Sequence, residues 1–229
     1  MSMASLHYAA PTAGAAASGL LVLLPGAGMA ADDFATHGLI GAVHRRGWSV
    51  DIVAVDTGME SYFDGDIAER LREEVIAPLR ADGARLWLAG VSLGGFGALR
   101  YLQAYEEEVA GALLLAPFIG SRGLIAAVEA CGGLRAWSRR APSELTPQHR
   151  LLKWLAEREF GNAGCPTVQL GFGTGDRFAA AQRLLAALLP AQRVEILAGG
   201  HDWPTWEALW KRMLDGVFHD PAGARQVSR

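Results

Sequence analysis

The 229-residue sequence predicts a doubly wound α/β domain, with a mostly parallel sheet, helices on both faces and a small helical cap insertion. Three observations lead there. Short apolar runs alternate with longer amphipathic runs along the chain. The short runs are rich in Leu, Val and Ile, as expected of strands buried on both faces. Apolar residues make up 51% of the chain, enough for one large core, so a single domain over 1–229 is expected.

The elements follow in order. Met1 to Gly19 is Ala-rich and reads as a poorly ordered lead-in. It lacks Lys and Arg, so it lacks the basic start of a secretory signal. Leu20 to Leu24 is a compact apolar run that ends in Pro25-Gly26, a buried strand followed by a turn. Asp32 or Asp33 can cap a helix through about Arg46, and the β-branched run Ser49 to Val55 is a second strand. Asp66 and Glu69 have capping-box spacing ahead of Ile67, Leu71, Val75, Ile76 and Leu79, which recur at helical intervals. Arg85 to Val91 is a buried strand, Leu93 to about Glu108 a helix, and Ala112 to Ala116 a strand again.

From about Gly120 to Asn162 the rhythm breaks. This segment holds two helical stretches and no convincing strand, and we read it as a cap (residues 120–162) set over the C-terminal edge of the sheet. Strands Thr167 to Phe172 and Arg193 to Leu197 then enclose a helix, Arg177 to Leu189, and Trp206 to Phe218 closes the chain as a helix. Right-handed crossovers assemble such a series into a doubly wound sandwich.

Composition excludes several classes of function. The formal net charge is −3 and no run of Lys or Arg forms a basic footprint, the small pair Arg139-Arg140 being too little for one, so no nucleic-acid partner is expected. The longest apolar stretch starts at Gly19 and is broken by Pro25, Gly26 and Gly28. It falls short of the roughly 18 residues of a membrane span. Cys131 and Cys165 lie far apart and form no metal or redox spacing, which suits two reduced thiols in a cytoplasmic protein.

Chemistry concentrates at three places. Gly90-Val91-Ser92-Leu93-Gly94 matches G-x-S-x-G where a buried strand passes into a helix. A nucleophilic serine needs a sharp turn there to lift its hydroxyl clear, and flanking glycines remove the Cβ atoms that would collide. The helix that follows turns its N-terminal N–H groups toward the site and favours developing negative charge. His201 follows the last strand in Gly199-Gly200-His201-Asp202-Trp203 and is the candidate base, since imidazole exchanges protons near working pH. His7, His37, His44, His149 and His219 sit in the lead-in, in helices, in the insertion or near the end, and suit the role less well.

The acid that orients the imidazole is sought between the two. Asp176, in Gly173-Thr174-Gly175-Asp176, lies 25 residues before His201 and completes the chain order Ser, Asp, His. It also stands where an N-cap would start the next helix, and both roles are compatible. Asp202 is the rival acid, although adjacent residues rarely orient one another's side chains. The oxyanion needs two backbone donors. The Leu93 N–H, directly after Ser92, is one candidate. The other comes from Pro25-Gly26-Ala27-Gly28-Met29, with Ala27 preferred and Met29 the runner-up.

Taken together, GVSLGG, GTGD and GGHDW resemble the α/β-hydrolase superfamily, over a span from about Leu20 to Phe218. The Gly-Gly-His-Asp-Trp stretch followed by Trp206 is similar to esterases of the carboxylesterase and feruloyl-esterase kind. Many members carry His-Gly at the oxyanion turn, where this chain has Pro25-Gly26. The resemblance implies a variable cap at 120–162 that sets substrate choice. It also implies a serine hydrolase acting on a small-molecule ester or thioester, with no cofactor and no metal. Acyl transfer to an alcohol or amine, and a binding module that keeps the fold without catalysis, remain as alternatives. Trp137, Leu151, Leu152, Trp154 and Leu155 in the cap, with Trp203 and Trp206, fit either an apolar pocket or plain helix packing.

Overall fold

The computed structural model describes residues 3–11, 17–58, 61–62, 65–162 and 164–219. Seven strands form one sheet in the order β1-β3-β2-β4-β5-β6-β7. They are β1 (Ala4–Tyr8), β2 (Gly19–Leu24), β3 (Val50–Asp56), β4 (Arg85–Val91), β5 (Val109–Leu115), β6 (Thr167–Gly173) and β7 (Val194–Leu197). Every pairing is parallel except β1 with β3. The interior strands β2 and β6, each paired on both sides, are buried along their whole length. That explains why their sequences show apolar runs without alternation.

The helices are α1 (Asp33–Thr36), α2 (Leu39–Arg45), α3, α4 (Leu93–Ala104), α5 (Arg122–Ala130), α6 (Leu134–Ser138), α7 (Pro147–Glu157), α8 (Ala179–Ala186) and α9 (Trp203–His219). We use α3 for Ile67–Arg70 and Ala77–Leu79 with the π-helical stretch Leu71–Ile76 between them. The chain leaves β2 toward β3 on one side and returns past β2 to β4 on the other. Right-handed crossovers then put α2 and the α3–α4 pair on opposite faces. Helix α9 joins α2, and its Trp210 indole donates to the Leu39 carbonyl at 3.0 Å. Helix α4 packs on β2, β4 and β5. Among the described residues no helix is long and apolar enough to cross a membrane.

Four sequence expectations need correction. The lead-in holds a strand: β1 lies antiparallel on β3, Ala4 opposite Asp56 and Tyr8 opposite Ile52. An edge strand is held by main-chain hydrogen bonds and needs little apolar pattern, so its sequence is quiet. Residues 1–2 and 12–16 of the expected lead-in lie outside the described residues. The helix expected from Asp32 or Asp33 to Arg46 is two helices, because Gly38 adopts φ 73° between them. The capping box at Asp66 does not form, since Asp66 makes no side-chain cap hydrogen bond. The insertion carries three helices, α5, α6 and α7, where two stretches were expected. These pack on one another, and α7 packs on α4. Trp137, Leu151, Leu152 and Leu155 are buried there, so they serve packing.

The order reverses between β2 and β4. Loops leaving adjacent strands at such a point diverge and open a crevice at the strands' C-terminal ends. The register sets those ends level, with Leu24 opposite Gly90 and Val91 opposite Leu115. Ser92 and the turn at 25–29 therefore emerge side by side.

Candidate active site

Ser92 follows β4 immediately and has φ 52° and ψ −112°, a conformation that L residues rarely adopt. Neighbouring backbone holds it there. Its N–H donates to the Leu115 carbonyl at 2.9 Å, and its carbonyl accepts from the N–H groups of Phe118 (2.8 Å) and Gly95 (3.0 Å). The turn also needs its glycines. A Cβ on Gly90 would run into the Gly94 carbonyl, and a Cβ on Gly94 would run into the carbonyls of Leu24 and Pro25. Backbone thus packs on backbone where β2, β4 and α4 meet. Ser92 stands at the N-cap of α4, yet its hydroxyl makes no capping bond. Serine is among the strongest caps, so an N-cap hydroxyl left uncommitted to the helix is free for another partner.

That partner is His201. The Ser92 hydroxyl lies 2.9 Å from His201 Nε2, and His201 Nδ1 lies 2.7 Å from Asp176 Oδ2. Asp176 is buried, and burial is the largest influence on its carboxyl, working against ionisation. The hydrogen bond from His201, the Phe178 N–H on Oδ1 at 2.7 Å, the charge of His201 and the nearby Gln182 amide together outweigh it. The carboxyl is held below its ordinary range. An ionised carboxylate only accepts, so Nδ1 carries the imidazole proton and Nε2 offers its lone pair to the Ser92 hydroxyl. The three side chains form one directed relay.

The loops that carry the acid and the base brace each other. The Gly175 N–H donates to the Gly199 carbonyl at 2.9 Å, and the Thr174 N–H donates to the Leu197 carbonyl at 2.7 Å. The His201 ring is packed edge-on by Phe178 at 5.1 Å and by Trp206 at 5.0 Å between centroids. Asp202, the rival acid, is committed elsewhere. Its Oδ1 accepts from the Thr205 N–H (3.0 Å) and the Thr205 hydroxyl (2.7 Å) at the start of α9. Those bonds, with burial opposing, hold its carboxyl below the ordinary range.

The oxyanion candidates separate as well. The Met29 N–H is spent on the Gly26 carbonyl at 3.1 Å, which removes the runner-up donor. Among the described residues the N–H groups of Ala27 and Leu93 have no acceptor within the protein. The turn is close to the nucleophile, since a Cβ on Gly26 would come 3.2 Å from Ser92 Cβ.

Sequence reasoning missed several participants. Phe178 and Phe118, whose rings meet edge-on at 5.8 Å, carry no local signal. Gln182 is fully buried, with its amide outside hydrogen-bond geometry. A polar residue on the apolar face of α8 was readable as an oddity. Tyr62, whose hydroxyl donates to the Pro25 carbonyl at 3.2 Å, lies in a stretch without periodicity. A cleft of about 110 Å³ opens beside Phe178, between Ile125 and Ala126 of α5 and Ala180 and Ala181 of α8. Larger clefts of about 350 Å³ beside Arg72 and about 210 Å³ beside His7 are lined by no residue of this site.

Comparison with known proteins gives a consistent picture. No curated protein matches the sequence. Solved structures do match in fold. A substrate-bound fluorophosphonate-binding serine hydrolase of Staphylococcus aureus, FphF, aligns over 99% of this chain and 98% of its own, with 14% identity and a TM-score of 0.63. An S-formylglutathione hydrolase of Agrobacterium tumefaciens aligns over 99% and 90%, with 12% identity and a TM-score of 0.61. A monoacylglycerol lipase of Paleococcus ferrophilus aligns over 100% and 99%, with 18% identity and a TM-score of 0.56. At such identities the likeness speaks for the fold alone. The model of the Alpha/beta hydrolase family matches residues 21–164, more than half of the sequence, and the chain belongs to that family.

Proposed function

We propose that the protein is a serine hydrolase that cleaves a small-molecule carboxylic ester or thioester through an acyl-enzyme. The observation that carries this reading is the relay from Ser92 through His201 to Asp176, with distances of 2.9 and 2.7 Å. The uncapped hydroxyl and strained backbone of Ser92 support it. The same fold also carries a serine hydrolase, an S-formylglutathione hydrolase and a monoacylglycerol lipase, which fits this reading.

In the proposed reaction the Ser92 oxygen attacks the carbonyl carbon as His201 Nε2 takes the hydroxyl proton. Charge on the carbonyl oxygen is met by the N–H groups of Leu93 and Ala27. The tetrahedral adduct collapses, the bond to the alcohol or thiol breaks, and His201 returns its proton to the leaving group. Water then attacks the acyl-enzyme with His201 again as base, and the acid leaves as His201 passes that proton back to the Ser92 oxygen. Asp176 stays ionised throughout and balances the imidazolium. Helices α5 to α7 act as a cap, and the cleft beside Phe178 takes the apolar part of the substrate.

The test is a panel of p-nitrophenyl esters and acyl thioesters run on wild type and Ser92→Ala, with fluorophosphonate labelling of both. Turnover is expected to fall at least about a thousandfold in the variant, with labelling lost. Equal turnover in the two proteins would overturn the assignment of Ser92. An unlabelled, inert wild type would favour a binding module. An ester product formed with an added alcohol acceptor would favour acyl transfer.

A further inference from the structure

We infer that Met29 and Tyr62 are positioning residues of the oxyanion turn, together holding two consecutive peptide planes so that the Ala27 N–H is aimed before substrate arrives. The inference rests on the function proposed above and goes beyond it. Gly26 and Gly28 flank Ala27, so the local chain has little stiffness of its own. Donors aimed at a developing charge are worth most when they need not reorganise, and a loose turn loses that advantage.

The structure supplies the missing stiffness from two side chains and the backbone N–H of Met29. The Pro25–Gly26 peptide is held at both ends: its carbonyl accepts from the Tyr62 hydroxyl at 3.2 Å, and its N–H donates to the Met29 thioether at 3.1 Å. The next peptide, Gly26–Ala27, is held through its carbonyl, which accepts from the Met29 N–H at 3.1 Å. In a trans peptide the N–H points opposite to the carbonyl. With the Gly26 carbonyl drawn into the turn, the Ala27 N–H points out of it. Flipping that peptide would aim a carbonyl oxygen where negative charge forms.

Tyr62 is itself fixed. It is buried, and its ring lies against α4 at Gly97, where a Cβ would approach Cε1 to 2.6 Å. Its single proton goes to Pro25, so the Thr57 hydroxyl donates to the Tyr62 oxygen at 2.6 Å. The loop after β3 is thereby tied to the loop after β2. Thioether sulfur is a weak acceptor. Gly26 is nevertheless buried, and without the sulfur its N–H would be left unpaired. Met29 thus touches the reacting atoms only through the backbone of Gly26 and Ala27.

The experiment compares wild type, Met29→Leu and Tyr62→Phe. Leucine keeps the bulk of Met29 and removes the acceptor, and phenylalanine keeps the ring and removes the hydroxyl. Three quantities are read on the best ester of the panel: kcat, KM, and the affinity of a trifluoromethyl ketone that forms a tetrahedral adduct at Ser92. Each variant is expected to lose about tenfold in kcat with KM within about twofold. Ketone affinity is expected to fall by the same factor as kcat/KM, and selenomethionine at position 29 to restore wild-type values. Variants that keep wild-type kcat, or lose kcat with ketone affinity unchanged, would overturn the inference alone. A wild type inert toward both esters and ketone would overturn the hydrolase reading, and this inference with it.

Discussion

Asp176→Asn changes one atom, and its effect can be worked out from two hydrogen bonds. In the wild type Oδ1 accepts from the Phe178 N–H at 2.7 Å and Oδ2 accepts from His201 Nδ1 at 2.7 Å. Both partners donate, and an amide can accept at only one of its two positions. If the asparagine oxygen stays on Phe178, its NH2 faces His201 and forces the imidazole proton onto Nε2, where it cannot take the proton of Ser92. If the amide turns over, two buried N–H groups collide in place of the Phe178 bond. Restoring the reactive tautomer therefore costs about 2 kcal/mol, the penalty for an unsatisfied buried donor. The imidazolium of the transition state also loses its counter-charge, worth about 4 kcal/mol at 4 Å and an effective dielectric near 20. Together these predict a loss in kcat of about ten-thousandfold, with the fold intact. Steady-state hydrolysis of a p-nitrophenyl ester measures it, with circular dichroism as the fold control. An asparagine variant within about tenfold of wild type would refute the argument, because it would show that the tautomer of His201 is set by something else.

Other outcomes follow from the same contacts. Asp202→Ala should cost about 1 kcal/mol of stability, as loss of the α9 cap, while activity stays within about tenfold of wild type. Thermal unfolding and kcat measured on one preparation separate it from Asp176. Gly94→Ala places a Cβ 2.7 Å from the Pro25 oxygen and closer still to Leu24, contacts that only backbone movement relieves. It should destabilise by about 3 kcal/mol and lower the melting temperature by several degrees. A melting temperature equal to wild type would contradict the packing described at the elbow. The depressed pKa of Asp176 makes stability depend on acidity. Its contribution is complete above the ordinary value of 3.8 and is lost as pH falls through the lower folded value. The stability gap between wild type and Asp176→Asn should therefore close below about pH 4, as measured by denaturant titration across that range.

Much of this arrangement was legible before any coordinates. Buried parallel strands announce themselves because both faces demand apolar residues, and β4 and β6 were readable almost to the residue. Ser92, Asp176 and His201 were readable because each follows a strand end within a glycine-bearing turn. Other features depend on what the chain meets later. Strand β1 is held by β3, which its own residues do not encode. The break at Gly38 was disguised because a lone glycine is tolerated within a helix. Helix α9 starts three residues before Trp206, where the apolar spacing begins: Asp202 caps it, and Pro204 sits in the first turn, a favoured place for proline. The holding of Ala27 by Met29 and Tyr62 could not be read, since a thioether acceptor and a tyrosine distant in sequence leave no spacing to recognise.

The placement of helices α5 to α7 has an architectural consequence. They leave from β5 and return to β6, and those two strands are hydrogen-bonded neighbours. An excursion whose two ends are fixed on neighbouring strands, one at the C-terminal end of β5 and the other at the N-terminal end of β6, can be lengthened or exchanged without shifting any strand, and extra length adds only slowly to the entropy of closing it. Serine and histidine are anchored outside that excursion, at the ends of β4 and β7. Under the proposed function this separates a fixed engine from a replaceable fitting, and chimeras that swap 120–162 should keep the relay while changing what is admitted to it.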